Sequence, residues 1–374
     1  MFPPPTSADL FTTRKNHEAK TLLTFEVPFL PDAEYIDFLA ENQAHLASVY
    51  FSLHDPHCFD ARVGVPSHPL SRLIQDLKHL PGVTKYALLN SRFHPPQNTL
   101  DAHRIDAVLD TLETLVQAGC LQGIVYVDHY LLRALSDRNP DLCARLQAVP
   151  GVNCLLDSLP RIAHHLECLE QTAFKAPEKI VLDRSLNRDR KALDRIASQS
   201  RQLWPNMHLG LLANEGCLPH CPFKLAHDSS IALGRMDPAQ EQTRAMNTSL
   251  GCARSFVHDP SLLLRSPFLR PEDIHAYAPS IQHIKLSGRT RGARIMRRVI
   301  DHYIHRAYSG NLLELMDTQE LLADRFVISN QDLPSDFGQR TMNCALACYA
   351  CSYCRDLAKR HVQDKGVRIK PMWA

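Results

Sequence analysis

Short apolar, β-branched runs alternate with amphipathic stretches along almost the whole chain, and that alternation restricts the fold to repeated βα units around a parallel sheet. Eight such runs occur: Leu22 to Val27, Ala47 to Leu53, Thr84 to Leu89, Gly123 to Val127, Val152 to Leu156, Lys179 to Leu182, His208 to Ala213 and His283 to Leu286. Helical spacing fills the intervals. Between His103 and Ala118, for example, Ile105, Val108, Leu109, Leu112, Leu115 and Val116 recur on one face. Eight strand–helix units predict an α/β fold closed into a TIM-like (β/α)8 barrel, although an open doubly wound sheet would carry the same local pattern.

In a barrel of this kind, functional side chains stand at the C-terminal ends of the strands. The residues just after the runs are rich in polar chemistry: His54 and Asp55, Asn90 to Arg92, Asp128 and His129, Asp157, Asp183 to Arg188, Asn214 to Cys217, and Gly288 to Thr290. The stretch from Pro222 to Pro279 is too long and polar for one crossover, and is expected to be a loop excursion over the mouth after strand 7. Ala293 to Tyr308 reads as a closing helix with Ile295, Val299, Ile300 and Ile304 inward. The expected organisation is a barrel over residues 1–308, with its insertion at about 222–279, followed by a cysteine-rich extension over 309–374.

Seven of the twelve cysteines fall in two constellations: Cys217-x3-Cys221 with Cys252 downstream, and Cys344-x3-Cys348-x2-Cys351-x2-Cys354. Thiolates one turn or one loop apart converge on a small volume, which is metal-ligand spacing. The compartment bears on this reading. The N-terminal MFPPPTSADLF lacks the basic-then-apolar layout of a secretory leader, no apolar run approaches the length of a membrane span, and a reducing cytoplasm is therefore expected. There, clustered cysteines point to metal or redox chemistry rather than disulfides.

Closely stacked x2 spacings favour an iron–sulfur cluster of the [4Fe-4S] type, with zinc as the rival, since it too accepts four thiolates. The Cys344-x3-Cys348-x2-Cys351 spacing also occurs in radical S-adenosylmethionine enzymes, but there it follows the first strand rather than trailing the eighth. One cluster sharing ligands at the mouth, or two, both satisfy the spacing, and a shared mouth location is the expectation carried forward. A fourth mouth ligand would be a tail cysteine, His220 or an open position. Cys120, Cys143, Cys154 and Cys168 sit among apolar neighbours and read as core fillers; Cys58, near His54 and His57, is placed to reach the mouth.

A formal net charge of +2 removes any global electrostatic drive toward nucleic acid, leaving local clusters such as Arg289, Arg291, Arg294, Arg297 and Arg298. His54, Asp128, His129, Asp157, Asp183, Glu215 and His227 would ring the mouth, with Asp128, Asp183 and Glu215 the catalytic candidates for proton handling. Arg184, Arg188 and Arg289 can fork onto an anion, Arg184 and Arg289 being the substrate-binding candidates. The plainer alternative for each is an ion pair with Asp183 or Glu215. No Gly-x-Ser-x-Gly elbow, His-Glu-x-x-His or protease-like Cys/His context occurs.

Several segments resemble the U32 peptidase-like family, in order along consecutive units. ASVYFSLHDPHCFDAR matches at Val49, Tyr50, Phe59 and Arg62, and GIVYVDHYLLRAL is similar to the family's fourth strand and following helix. APEKIVLDRSLNRDRKALDRIA aligns Asp183, Arg184, Ser185 and Leu186; SPFLRPEDIHAYAPSIQHIKLSGRT aligns Lys285, Gly288 and Arg289. Leu286-Ser287-Gly288-Arg289 stands where the family often has Ile-Glu-Gly-Arg, the NEGCLPHCPFKLAHDSS segment occupies the place of the family's glycine- and cysteine-containing segment but differs from it, and the tail cysteines are not mapped onto the family. The resemblance, covering roughly residues 45 to 300, implies a TIM-like barrel with a [4Fe-4S] cluster at its mouth, supporting oxidation or hydroxylation of RNA or of a small aromatic quinone precursor. A cluster-carrying subunit that serves a protein partner or electron donor, and a zinc-stabilised nucleic-acid-modifying protein, are the other readings.

Overall fold

The computed structural model describes residues 23–53, 60, 69–236, 242–344 and 347–367. Eight parallel strands run in the order β5-β4-β3-β2-β1-β8-β7-β6. They are β1 Thr24–Pro28, β2 Leu46–Ser52, β3 Thr84–Leu89, β4 Gly123–Tyr126, β5 Gln147–Pro150, β6 Lys179–Leu182, β7 His208–Leu212 and β8 His283–Lys285. The ends of that order, β5 and β6, meet through a few backbone bonds rather than a full ladder: Ala148 N to Lys175 O at 3.2 Å, Lys175 N to Leu146 O at 2.9 Å and Asp183 N to Leu156 O at 3.0 Å. The result is a nearly closed TIM-like (β/α)8 barrel, with helices between the strands.

The strands form where the sequence is short, β-branched and buried on both faces. Helix starts are set by carboxylates that accept orphan amides: Asp101 takes His103 N at 3.0 Å and Asp189 takes Ala192 N at 3.0 Å. The fifth strand departs from expectation. It is Gln147–Pro150, while Val152–Cys154 forms a 3-10 turn ending at Leu155 with φ 56. An apolar run buried in a turn has the same composition as one buried in a strand, so periodicity misplaced it. The closing helix, Ala293–His305, buries Met296, Val299, Ile300 and Tyr303, one step round from the predicted stripe.

The barrel interior has two halves. On β2 to β5 it is apolar and aromatic, with Tyr50, Tyr86, Leu88, Val125 and Val149 in one cluster. On β1, β6 and β8 it is charged. Lys179 reaches across from β6 to bond Glu26 on β1 and Ser48 on β2, and Lys285 on β8 bonds the other Glu26 oxygen. Gly210 on β7 admits the buried His283 ring, for a Cβ there would lie 2.2 Å from it.

The excursion after β7 is helical rather than a loop, with helices at Lys224–Met236, Thr243–Ser249, Cys252–His258 and Ser261–Arg265. The tail returns over it: helix Tyr353–His361 packs on Ser261–Arg265, and β9 Phe326–Ile328 pairs antiparallel with β10 Val362–Asp364. No described helix is long and apolar enough to cross a membrane.

Candidate functional site

Strand ends and the excursion enclose a polar cavity of ≈ 100 Å³ at the barrel mouth. Its basic lining residues are Arg92, Lys224, Lys285 and Arg289, and its acidic ones Glu215, Asp228 and Asp317. Two clamps shape it. Asn214 joins the ends of β7 and β8, giving its amide to Ser287 O at 2.7 Å and accepting Ser287 N at 2.7 Å. Asn153, released from the strand by the altered fifth element, accepts Arg92 on its carbonyl and Lys224 Nζ on its side chain at 2.7 Å.

Of the three candidate acids, Glu215 lines this cavity and is paired with Arg184, both being buried. Burial works against the Arg184 charge, but Glu215, Cys217 and Asp183 together hold its pKa above the ordinary value. Asp183 caps the turn Arg184–Arg188 by accepting Ser185 N at 2.9 Å. Asp128 caps helix His129–Arg138 and meets His94 Nδ1 at 2.9 Å. Burial would raise its pKa, yet His94 and the Tyr130 and Leu131 amides outweigh this and lower it. Neither Asp128 nor Asp183 lines the cavity. Arg289 does, and it is ion-paired with Asp60, which also accepts Ser52 Oγ.

Asp157 is ion-paired with Arg161, and His129 meets His165 at 2.9 Å. Burial pushes His165 down to about 4, so that pair is neutral near pH 7. His227 contacts Asn247 at 3.1 Å within the excursion. His54, His57, Cys58, Phe59 and Arg62 lie outside the described residues.

The two cysteine constellations do not line one and the same recess. Cys344, Cys348, Cys351 and Cys354 line one small recess of ≈ 40 Å³ together with Arg188, Arg265 and Arg340, and neither Cys217, Cys221 nor Cys252 lines it. Cys217 stands beside the mouth, 3.4 Å from Glu215 Oε1 and 3.7 Å from Thr318 Oγ1; burial and then Glu215 push its thiol pKa well up. Cys252 is raised by burial and by the nearby Cys221. Cys120, Cys143 and Cys154 are buried and Cys168 partly so.

Arg188 lines the recess beside the four cysteines. This buried side chain donates to Ser266 O at 2.6 Å and to Leu264 O at 2.7 Å, and among the described residues it has no carboxylate partner. A buried cation without an anion is unfavourable by several kcal/mol, so a thiolate-ligated group would supply the missing negative charge. No three His, Cys, Asp or Glu side chains among the described residues close around a point as a single ion requires. A four-iron cluster holds its thiolates further apart than a single ion does, and four cysteines line this one recess.

An uncharacterized protease from Methanocaldococcus jannaschii is 29% identical over 274 residues, which span 68% of this chain and 77% of that protein. Among solved structures, the U32 peptidase Mk0906 aligns over 75% of this chain and 99% of its own at 12% identity, with a TM-score of 0.49. The chain is similar to the uncharacterized protease over about two thirds of its length, and its own segments resemble the U32 peptidase-like family. An exo-β-1,4-mannosidase from Opitutaceae bacterium strain TAV5 aligns over 59% of this chain and 50% of its own at 13% identity, with a TM-score of 0.33. No family model matches.

Sequence reasoning passed over the charges inside the barrel. Burial opposes the charge of Glu26, but Lys179, Lys285 and their hydrogen bonds hold its carboxyl far below the usual range. Burial lowers Lys179 to about 8 against the pull of Glu26, lowers Lys285 as well, and takes His283 to about 3, leaving the imidazole neutral. The strand runs did show the signal: Glu26, Lys179, His283 and Lys285 interrupt segments that a barrel normally fills with branched residues.

Proposed function

We propose that Cys344, Cys348, Cys351 and Cys354 carry a [4Fe-4S] cluster, and that the protein uses it to support oxidation or hydroxylation of a substrate held at the barrel mouth. The observation that carries this reading is Arg188, a buried cation with no carboxylate partner among the described residues and set against four thiols. When bound, such a cluster supplies one-electron transfer. The chain's own residues connect the two places. Arg188 at the recess and Arg184 at the mouth are the two ends of one 3-10 turn, Arg184–Arg188, roughly 8 Å apart along the helix axis. At the mouth, Glu215 is the acid placed to hold or move a proton, its position set by Arg184. RNA or a quinone precursor is the substrate class that the family resemblance favours.

Iron and sulfide analysis of anaerobically purified protein tests this. About four irons per chain are expected, about eight would place a second cluster on Cys217, Cys221 and Cys252, and zinc without iron would overturn the reading. A second reading, an electron-carrying subunit for a protein partner, is favoured by the exposure of Cys351 and by Tyr349, which is 93% exposed beside the recess. Copurification of a stoichiometric partner, with no turnover by the isolated chain, would select it.

A further inference from the structure

We infer that the mouth cavity is a binding site for a single anionic group, carboxylate or phosphate, on a small ligand, and that Lys285 and Arg92 hold it. Within the barrel, two ammonium groups share one carboxylate: Lys179 and Lys285 both bond Glu26. Among the described residues, Ser48 and the Tyr50 and Tyr86 rings lie beside the two lysines without adding negative charge, and the neighbouring Arg289 is paired with Asp60; Lys285 Nζ lies 3.8 Å from the Tyr50 ring centroid, and Lys179 Nζ 4.5 Å from that of Tyr86. His283 is neutral and does not alter the count. Among the described residues one buried positive charge is therefore left over, and an uncompensated charge in such a place strongly favours an anion.

Lys179 is sealed below, whereas Lys285 lines the cavity. The other cations there are committed. Lys224 is paired with Asp228, and Arg289 with Asp60. Arg92 differs, for it donates only to the Asn153 carbonyl and has no carboxylate partner among the described residues. Arg184, which does not line the cavity, and Arg289, the arginines favoured by sequence for anion binding, are thus occupied by the protein's own acids, and the role passes to Lys285 and Arg92. Asp317, which accepts the Thr318 amide at 3.0 Å, is the lining acid without a basic partner among the described residues, and it disfavours a second anionic group on the ligand. Leu88, Val125 and Leu212 offer apolar wall to the rest of it. The site stands independently of the cysteine recess.

Isothermal titration calorimetry on the full chain, with inorganic phosphate and separately with benzoate against sodium chloride of equal ionic strength, tests the assignment. The iron content of each sample is measured alongside, so that an empty recess and an empty mouth are told apart. Saturable binding of one anion per chain is expected, phosphate alone assigning a phosphoryl group and benzoate alone a carboxylate. Lys285→Met should weaken it by at least about tenfold and Arg92→Gln by about threefold or more. Absence of saturable binding by either anion up to about 10 mM overturns the inference, as does wild-type affinity in Lys285→Met. If Lys285→Met does not fold, unchanged affinity in Arg92→Gln, whose side chain is only partly buried, overturns it instead.

Discussion

The cysteine recess takes its four thiols from the short tail segment between Cys344 and Cys354, whereas the mouth cavity takes its polar groups from strand ends scattered between Tyr50 and Asp317. The two also differ in how charge is balanced. In the recess a buried cation, Arg188, has no carboxylate partner among the described residues and lies beside four thiols. Around the mouth most cations already have their own acids, and the imbalance is pushed down into the barrel, where Glu26 serves two lysines. Local spacing is enough to build a ligand set, while a cavity built by topology needs ion pairs to hold its walls in register.

The comparison breaks first at Glu26. Glu26→Gln should strand two buried lysines and cost about 3–5 kcal/mol by urea denaturation, or prevent folding. The sign with pH follows from the lowered folded-state pKa. The stabilisation by Glu26 is complete above the unfolded carboxylate value of about 4.3 and is lost as pH falls through the still lower folded value. The stability gap between wild type and Glu26→Gln should therefore be full at neutral pH and narrow below about pH 4. A gap that stays constant down to pH 3 would show that the carboxylate is not the counter-charge.

In the recess, Cys348→Ser should take iron from about four per chain to below about one, while Cys217→Ser leaves it unchanged; equal loss in both variants would return the ligands to a shared site. Gly210→Ala should destabilise by about 1–3 kcal/mol, because the new methyl displaces the buried His283 ring. Restoration of wild-type stability in the double variant Gly210→Ala, His283→Ala would sharpen this, since it isolates the clash from the loss of glycine. The smallest effect is expected at Asp101→Ala, which removes one helix cap and should cost about 1 kcal/mol without altering iron content or anion binding.

Much of this was readable in one dimension. Seven of the eight strands fall where short branched runs predict them, because a strand buried on both faces must be apolar throughout. The run from Val152 to Leu156 failed because the same apolar composition serves a buried turn, and the error hid Asn153, which the turn frees to hold Arg92 and Lys224. The clustering of Cys344, Cys348, Cys351 and Cys354 was legible from spacing alone, since their separation is a local property of the backbone. That Cys217, Cys221 and Cys252 line no part of the same recess was not, because it depends on how the tail packs against the excursion.

The sequence by itself determined the repeated βα architecture and the four-cysteine group, both of which follow from periods and spacings of a few residues. Only the tertiary structure decided which charges neutralise one another. Glu26, Lys179 and Lys285 come from the first, sixth and eighth strands, and they meet only because a nearly closed barrel points all three inward. Ion pairing acts over a few ångströms of space and is indifferent to separation along the chain, so the mouth's vacant cation could be counted only once the ring of strands was formed.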